Sequence, residues 1–309
     1  MKSGVAAVEI VEKSSKFDAA ELIIGHVSNT SVDHPIIHLP HFFGVDLSVT
    51  KHVLMLWIVA VSVFGIITFF TRRYLRQDQP IPTGFMNAVE AIVTYIRDSI
   101  VLPNVGKKFV STWTPLVLTF FFFILTSNAI GLIPMFDFLG VLDRFVLHTS
   151  NDSLVNRVLH GGTTATANYN VTAALAVITF LAIIIAGTKA HGFFQHWKNL
   201  APSGLAWPLY IILVPIEIMG MLVKPFALAM RLAANMAGGH IAILAILSFV
   251  FIFESLFESA AAGMAVGFFV SVPLAVGISA LEIIVVLVQA YVFTLLTAVF
   301  IGMAINVHH

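Results

Sequence analysis

Two apolar stretches govern what this chain can become. Residues 209–253 and 263–307 each run for 45 positions with few ionisable side chains. As a single helix, each would be about 67 Å long at a rise of ~1.5 Å per residue. That is roughly twice the ~30 Å hydrocarbon core of a bilayer. Each stretch is therefore either two spans with a buried turn or one long, strongly tilted helix, and hydropathy alone leaves both open. The polar break between them is the short segment 254–259. Such a chain cannot cover a water-facing surface: 59% of its 309 residues are hydrophobic and 10% are charged, with a mean hydropathy of +0.96, whereas a soluble domain carries about 25% charged residues. An all-α integral membrane protein is expected.

Three shorter segments have the length of a single span, at 54–70, 115–135 and 171–187. With 209–253 and 263–307 they give about five membrane-crossing helices. Residues 84–102 differ: Phe85, Val89, Ile92, Ile96 and Ile100 recur at helical spacing while Asn87, Glu90, Thr94, Arg97 and Asp98 fall elsewhere. That pattern predicts an amphipathic helix lying in the membrane surface. Residues 137–170 are polar and rich in Gly, Thr and Asn, and read as an aqueous loop. The expected organisation is a polar N-terminal extension, 1–50, on the outer side and a single membrane domain, 51–309. Lys2, Glu9, Glu12, Lys13 and Lys16 are too many charges for the apolar region of a secretion signal.

Basic residues near span ends orient such a chain. Arg72, Arg73, Arg76, Lys107, Lys108, Lys189 and Lys198 lie on links that share one side, against Lys51, Arg144 and Arg157 on the other. The N-terminus is therefore expected outside and the C-terminus in the cytoplasm. Lys+Arg 16 against Asp+Glu 16 leaves no net charge, and no polybasic tract suits nucleic acid. The absence of cysteine removes disulfides, thiolate metal sites and thiol nucleophiles together. No metal site and no cofactor are expected.

Within the last two apolar stretches, Glu217, Lys224, Arg231 and Glu282 are ionisable residues where each charge costs at least about 2.5 kcal/mol. Such residues pair, face water-filled cavities or mark an ion path. Glu217, Lys224 and Arg231 are seven apart, which turns a helix through about 700° and places all three along one stripe. Glu282 and Gln289 share a stripe in the same way. Ala227, Ala234, Asn235 and Gly238 surround Arg231 with small or polar side chains, a face suited to close approach by another helix. The guanidinium stays charged at any physiological pH. It cannot relay a proton, but it draws one off a carboxylic acid brought beside it. Glu217, Glu282 and His240 can change protonation. The competing readings are headgroup pairing for Glu217 and Lys224, snorkelling for Arg231 and a plain core histidine at 240.

The run Lys224-Pro225-Phe226-Ala227-Leu228-Ala229-Met230-Arg231-Leu232-Ala233-Ala234-Asn235-Met236-Ala237-Gly238-Gly239-His240 resembles the signature helix of subunit a of F-type ATP synthases. Leu281-Glu282 through Gln289-Ala290-Tyr291-Val292-Phe293 resembles that family's last helix, and 128–134 and 168–172 resemble its two shorter motifs. The resemblance covers roughly 54–307. It implies a membrane stator of the F0 sector that lies against a ring of c subunits, held by the b-subunit peripheral stalk and the rest of the complex, in a bacterial inner membrane. The two long segments would form a strongly tilted hairpin along the ring. Two offset half-channels would carry protons, with Arg231 separating them and deprotonating the ring carboxylate. Asn235 and Gln289 match polar positions beside it, Glu217 an acidic and Lys224 a basic position on the outlet path.

Two departures stand out. His240 and Glu282 are exchanged relative to many bacterial members, which keeps one acid and one base if they face each other. Gly131 stands where some relatives have aspartate on the inlet route, and Asp137 is the candidate substitute. The chain is no enzyme on its own, having no GxxxxGK[ST] loop for ATP. The alternatives are an ion-coupled secondary transporter, which the lack of an internal repeat disfavours, and a haem-bearing subunit, for which His240 lacks a second ligand.

Overall fold

The computed structural model describes residues 48–75, 84–132, 164–199 and 207–306. The N-terminal extension through residue 47 and Asp137 lie outside them. Five helices are long and apolar enough to cross a membrane: His52–Arg72, Val110–Leu132, Tyr169–His191, Pro208–Phe257 and Ala260–Ile305. The chain is an all-α multi-pass membrane protein.

Helix α1 is Lys51–Leu75. Helix α2, Phe85–Tyr95, runs on through a π-helical turn, Ile96–Val101, into α3, Leu102–Val105. Helix α4 is Val110–Leu132, and a 3-10 turn at Ala165–Ala167 leads into α5, Tyr169–His191, and α6, Phe193–Lys198. The long apolar stretches resolve as continuous helices. One is α7, Trp207–Phe257, 51 residues with Pro215 and Pro225 inside it. The other is α8, Ala260–Val266, a π turn at Gly267–Ser271 and α9, Val272–Ile305. Glu258 joins them with φ of 47°, a left-handed turn residue, and Ser259 N–H closes onto the Glu254 carbonyl at 3.2 Å. Neither the two prolines nor the Gly238-Gly239 pair ends α7, so no buried turn divides it.

Two compact units are formed. One comprises His52–Ile133, Thr164–Ala234 and Val286–His309; the other comprises Met1–Lys51, Pro134–Thr163 and Asn235–Val285.

The first unit is a bundle with two apolar cores. Ile96, Ile100, Val101, Val105, Trp113, Val117, Ala182, Ile183, Ala186, Ala298, Ile301 and Ile305 form one. The 84–102 segment thus behaves in two halves. Helix α2 has no buried residue, as a surface helix requires, with the Phe85 ring 4.8 Å from that of Phe70. The π turn and α3 instead bury Ile96, Ile100, Val101 and Val105 in protein. Gly302 allows this docking, because a Cβ there would lie 2.5 Å from the Asn104 carbonyl oxygen. The Asn306 amide donates to that same carbonyl at 2.8 Å.

The start of α5 corrects the aqueous-loop reading of 137–170 at its described end. Thr164 and Thr166 are fully buried. Thr166 Oγ1 donates to Asn128 Oδ1 at 2.5 Å, and Thr164 fills the space a side chain at Gly131 would need. Asn168 caps α5, its side chain accepting from the Asn170 N–H at 2.8 Å. At the other end of α5, the His196 ring lies flat on Gly187, where a Cβ would stand 2.1 Å from Nδ1. His196 is 3% exposed, and neither ring nitrogen has a partner among the described residues. Burial, with a smaller effect from His191, holds its imidazole below its ordinary pKa.

The second unit, over Asn235–Val285, is a helical hairpin. Gly263 and Gly267 set its spacing: a Cβ on Gly263 would lie 2.9 Å from the Val250 carbonyl oxygen, and one on Gly267 3.1 Å from the Val250 side chain.

Candidate functional site

The expected site residues divide between the two units. In the bundle unit, Arg231 stands at the midpoint of α7. Its neighbours Leu228, Ala229, Leu232 and Ala233 are buried. Leu228 and Leu232 share a core with Phe120, Ile124, Leu175, Ala290 and Phe293, so they fix the rotation of α7. The opposite side carries Ala227, Met230, Arg231 and Ala234, all exposed. Arg231 is therefore held on an open face by the packing of its neighbours. Among the described residues no carboxylate pairs with it; the ion pair in this unit joins Arg97 and Asp98 at 3.7 Å on the surface.

Gln289 is buried at 8% exposure, next to Ala290, which packs against the leucines flanking Arg231. Glu217 is exposed. Lys224 is half-buried, its ammonium 5.9 Å from the centre of the Phe300 ring, a cation–π distance. Because α7 is one uninterrupted helix, the seven-residue spacing of Glu217, Lys224 and Arg231 does put them along one stripe.

The hairpin unit carries Asn235, His240 and Glu282. Asn235 is exposed. Glu282 is 6% exposed, and its Oε1 has no hydrogen-bond partner among the described residues. The carboxyl rests on Gly239: a Cβ there would stand 1.7 Å from Oε1 and 2.6 Å from Cδ. A buried acid thus lies against the residue that precedes His240. Gly239 belongs to the quoted run, yet only the hairpin register reveals its function as a cradle.

No cluster of three or more metal-ligating side chains occurs among the described residues. The chemistry available is that of proton-bearing and charged groups: one exposed cation on a small-residue face, one buried acid on a glycine, and amides beside the first.

The family model described as the ATP synthase A chain matches residues 53–302. "ATP synthase subunit a 2" of Chlorobium luteolum is 38% identical over 294 residues, covering 93% of this chain and 76% of that protein. The protein of the same name from Prosthecochloris aestuarii is 38% identical over 293 residues, 93% of this chain and 79% of its own. "ATP synthase subunit a" of an Anaeromyxobacter species is 35% identical over 288 residues, 92% of this chain and 60% of its own. With a match over most of its length and five apolar helices to carry it, this chain belongs to the ATP synthase A chain family.

Proposed function

We propose that this chain is the stator subunit a of a proton-driven F-type ATP synthase, pressed against a ring of c subunits and joined to the b-subunit peripheral stalk. A chain of this kind is one subunit of the complex, and ATP chemistry belongs to other subunits. The observation that carries the reading is Arg231, exposed among Ala227 and Ala234 and unpaired by any described carboxylate of its own chain. A cation at that depth is costly, so a passing acid on another subunit is its natural counter-ion. Contact with Arg231 lowers that acid's affinity for its proton and sends the proton to the outlet past Lys224 and Glu217. The guanidinium stays charged throughout and so blocks a direct proton path. Glu282, with His240 and Asn235, belongs to the inlet, for which Asp137 is a further candidate; Gln289 supports the Arg231 region.

Protonated, the ring acid is neutral and crosses lipid at low cost; a charge moved through the potential releases about 2.3 kcal/mol per 100 mV, which supplies the torque. The orientation that fits the basic residues puts the N-terminus outside and the C-terminus in the cytoplasm of a bacterial inner membrane. Arg231→Ala in the assembled complex tests the assignment. ATP-driven proton pumping is expected to vanish and passive leak to rise. Normal coupled pumping without leak would overturn it.

A further inference from the structure

We propose that the interior of the Asn235–Val285 hairpin holds a file of water between the acidic turn and Glu282, with the Ser271 hydroxyl as its midway hydrogen-bonding station. Two buried polar atoms point to it. Ser271 is fully buried and its Oγ has no hydrogen-bond partner among the described residues; Glu282 is 6% exposed and its Oε1 has none either. A buried hydroxyl or carboxyl without a protein partner is the usual station of an ordered water.

The two atoms lie on one line. Eleven residues turn a helix through about 1,100°, within about 20° of three full circles, and rise about 16 Å. Ser271, Ala275 and Glu282 accordingly form one buried stripe. Ala275 leaves room between the two polar ends, and Ser279 stands half-buried beside the stripe. The facing helix offers a matching hydroxyl. The approaches of Gly267 to Val250 and of Gly239 to Glu282 bracket the intervening segment, and antiparallel counting brings Ser271 opposite the turn of α7 that carries Ser248. Ser248 is buried, and its Oγ donates to the Ala245 carbonyl at 2.7 Å, leaving its lone pairs free to accept from water. Beyond Ser271 the hairpin ends at Glu254 and Glu258, both exposed, an acidic mouth that concentrates cations. A hydronium at the mouth passes its proton along hydrogen-bonded water to the Glu282 carboxylate, which becomes a carboxylic acid while water stays behind. This inlet runs inside one hairpin and requires neither Asp137 nor a side chain at Gly131.

The inference rests on the proton-translocating reading, and its test is separable from that of Arg231. Valine and threonine have nearly the same shape and differ by the hydroxyl. In the assembled complex, Ser271→Thr is expected to keep most of the proton flux and Ser271→Val to lose at least roughly tenfold, as the loss of a proton-transfer partner does. Equal flux in the two variants overturns the proposal. The chain has no cysteine, so Ser271→Cys introduces one addressable thiol, and silver ion, small enough to follow water, is expected to bind it and block flux. If mass spectrometry finds the thiol of the Ser271→Cys variant unmodified, the file is overturned as well. That readout needs no coupling and holds even if Arg231→Ala proves harmless.

Discussion

A single methyl group at Gly239 should displace the buried acid without unfolding the hairpin. In Gly239→Ala the new Cβ would stand 1.7 Å from Glu282 Oε1, 2.6 Å from Cδ and 3.1 Å from Cγ, where ordinary contact begins near 3.4 Å. The clash is graded: Cγ must give by a few tenths of an ångström, while the carboxyl must swing well clear. Terminal carboxyl torsions are broad, so the fold absorbs the change near the low end of the about 1–3 kcal/mol typical of overpacking. The proton path does not absorb it. A reacting group misplaced by about 1 Å loses about 10²-fold in rate, and here an acid oxygen moves further than that. ATP-driven pumping in inverted vesicles should therefore fall by about two orders of magnitude while the complex assembles normally. Glu282→Asp shortens the side chain by one methylene and vacates the space the new methyl needs. The double variant Gly239→Ala/Glu282→Asp should accordingly pump better than Gly239→Ala alone. Wild-type pumping in Gly239→Ala, or no gain on adding the shorter acid, would refute the reasoning.

Two further outcomes follow from buried polar groups in the bundle unit. The fold holds His196 neutral, with its pKa below the ordinary 6.5. The docking of α6 on α5 is thus fully present above that value and weakens as pH falls below it, because the undocked ring binds a proton the docked ring refuses. Amide exchange across Phe193–Lys198, corrected for its intrinsic pH dependence, should speed up between about pH 7.5 and about pH 5.5, and His196→Phe should abolish the change; an unchanged profile in the variant contradicts it. Thr166→Val strips Asn128 Oδ1 of its donor at 2.5 Å and leaves a buried acceptor unpaired. The cost should be about 1–3 kcal/mol, read as a drop in thermal midpoint that Thr166→Ser avoids; identical midpoints for the two variants would contradict it.

The features that repeat along the chain were open to reading before any coordinates. Glu217, Lys224 and Arg231 declare a common stripe because a regular helix converts spacing directly into direction. The five spans are visible because lipid imposes a length and an apolar composition on each. Their limits moved outward, from 209–253 to Trp207–Phe257 for example, since a helix continues through polar residues once its ladder is formed. What stayed hidden depends on which segments meet. Thr164 and Thr166 look like loop residues because their composition is polar, and their burial comes from Asn128 and Gly131, more than thirty positions away. Gly239 as the seat of Glu282 follows from the hairpin register, which Gly263 and Gly267 set through close approach. Ser271 gave no signal at all, being one serine among many until its burial was known.

The π turn at Gly267–Ser271 has a bearing on how this hairpin tolerates change in its length. Such a turn accommodates one residue more than an α-helix would in the same rise. Each residue added to or removed from a helix rotates whatever lies beyond it by about 100°. Deleting one position there and reverting to plain α-helix would spin α8 relative to α9, turning Gly263 away from Val250 while Glu282 kept its place on Gly239. The bulge thus acts as a phase adjuster that lets the two ends of one helix each keep their own contact.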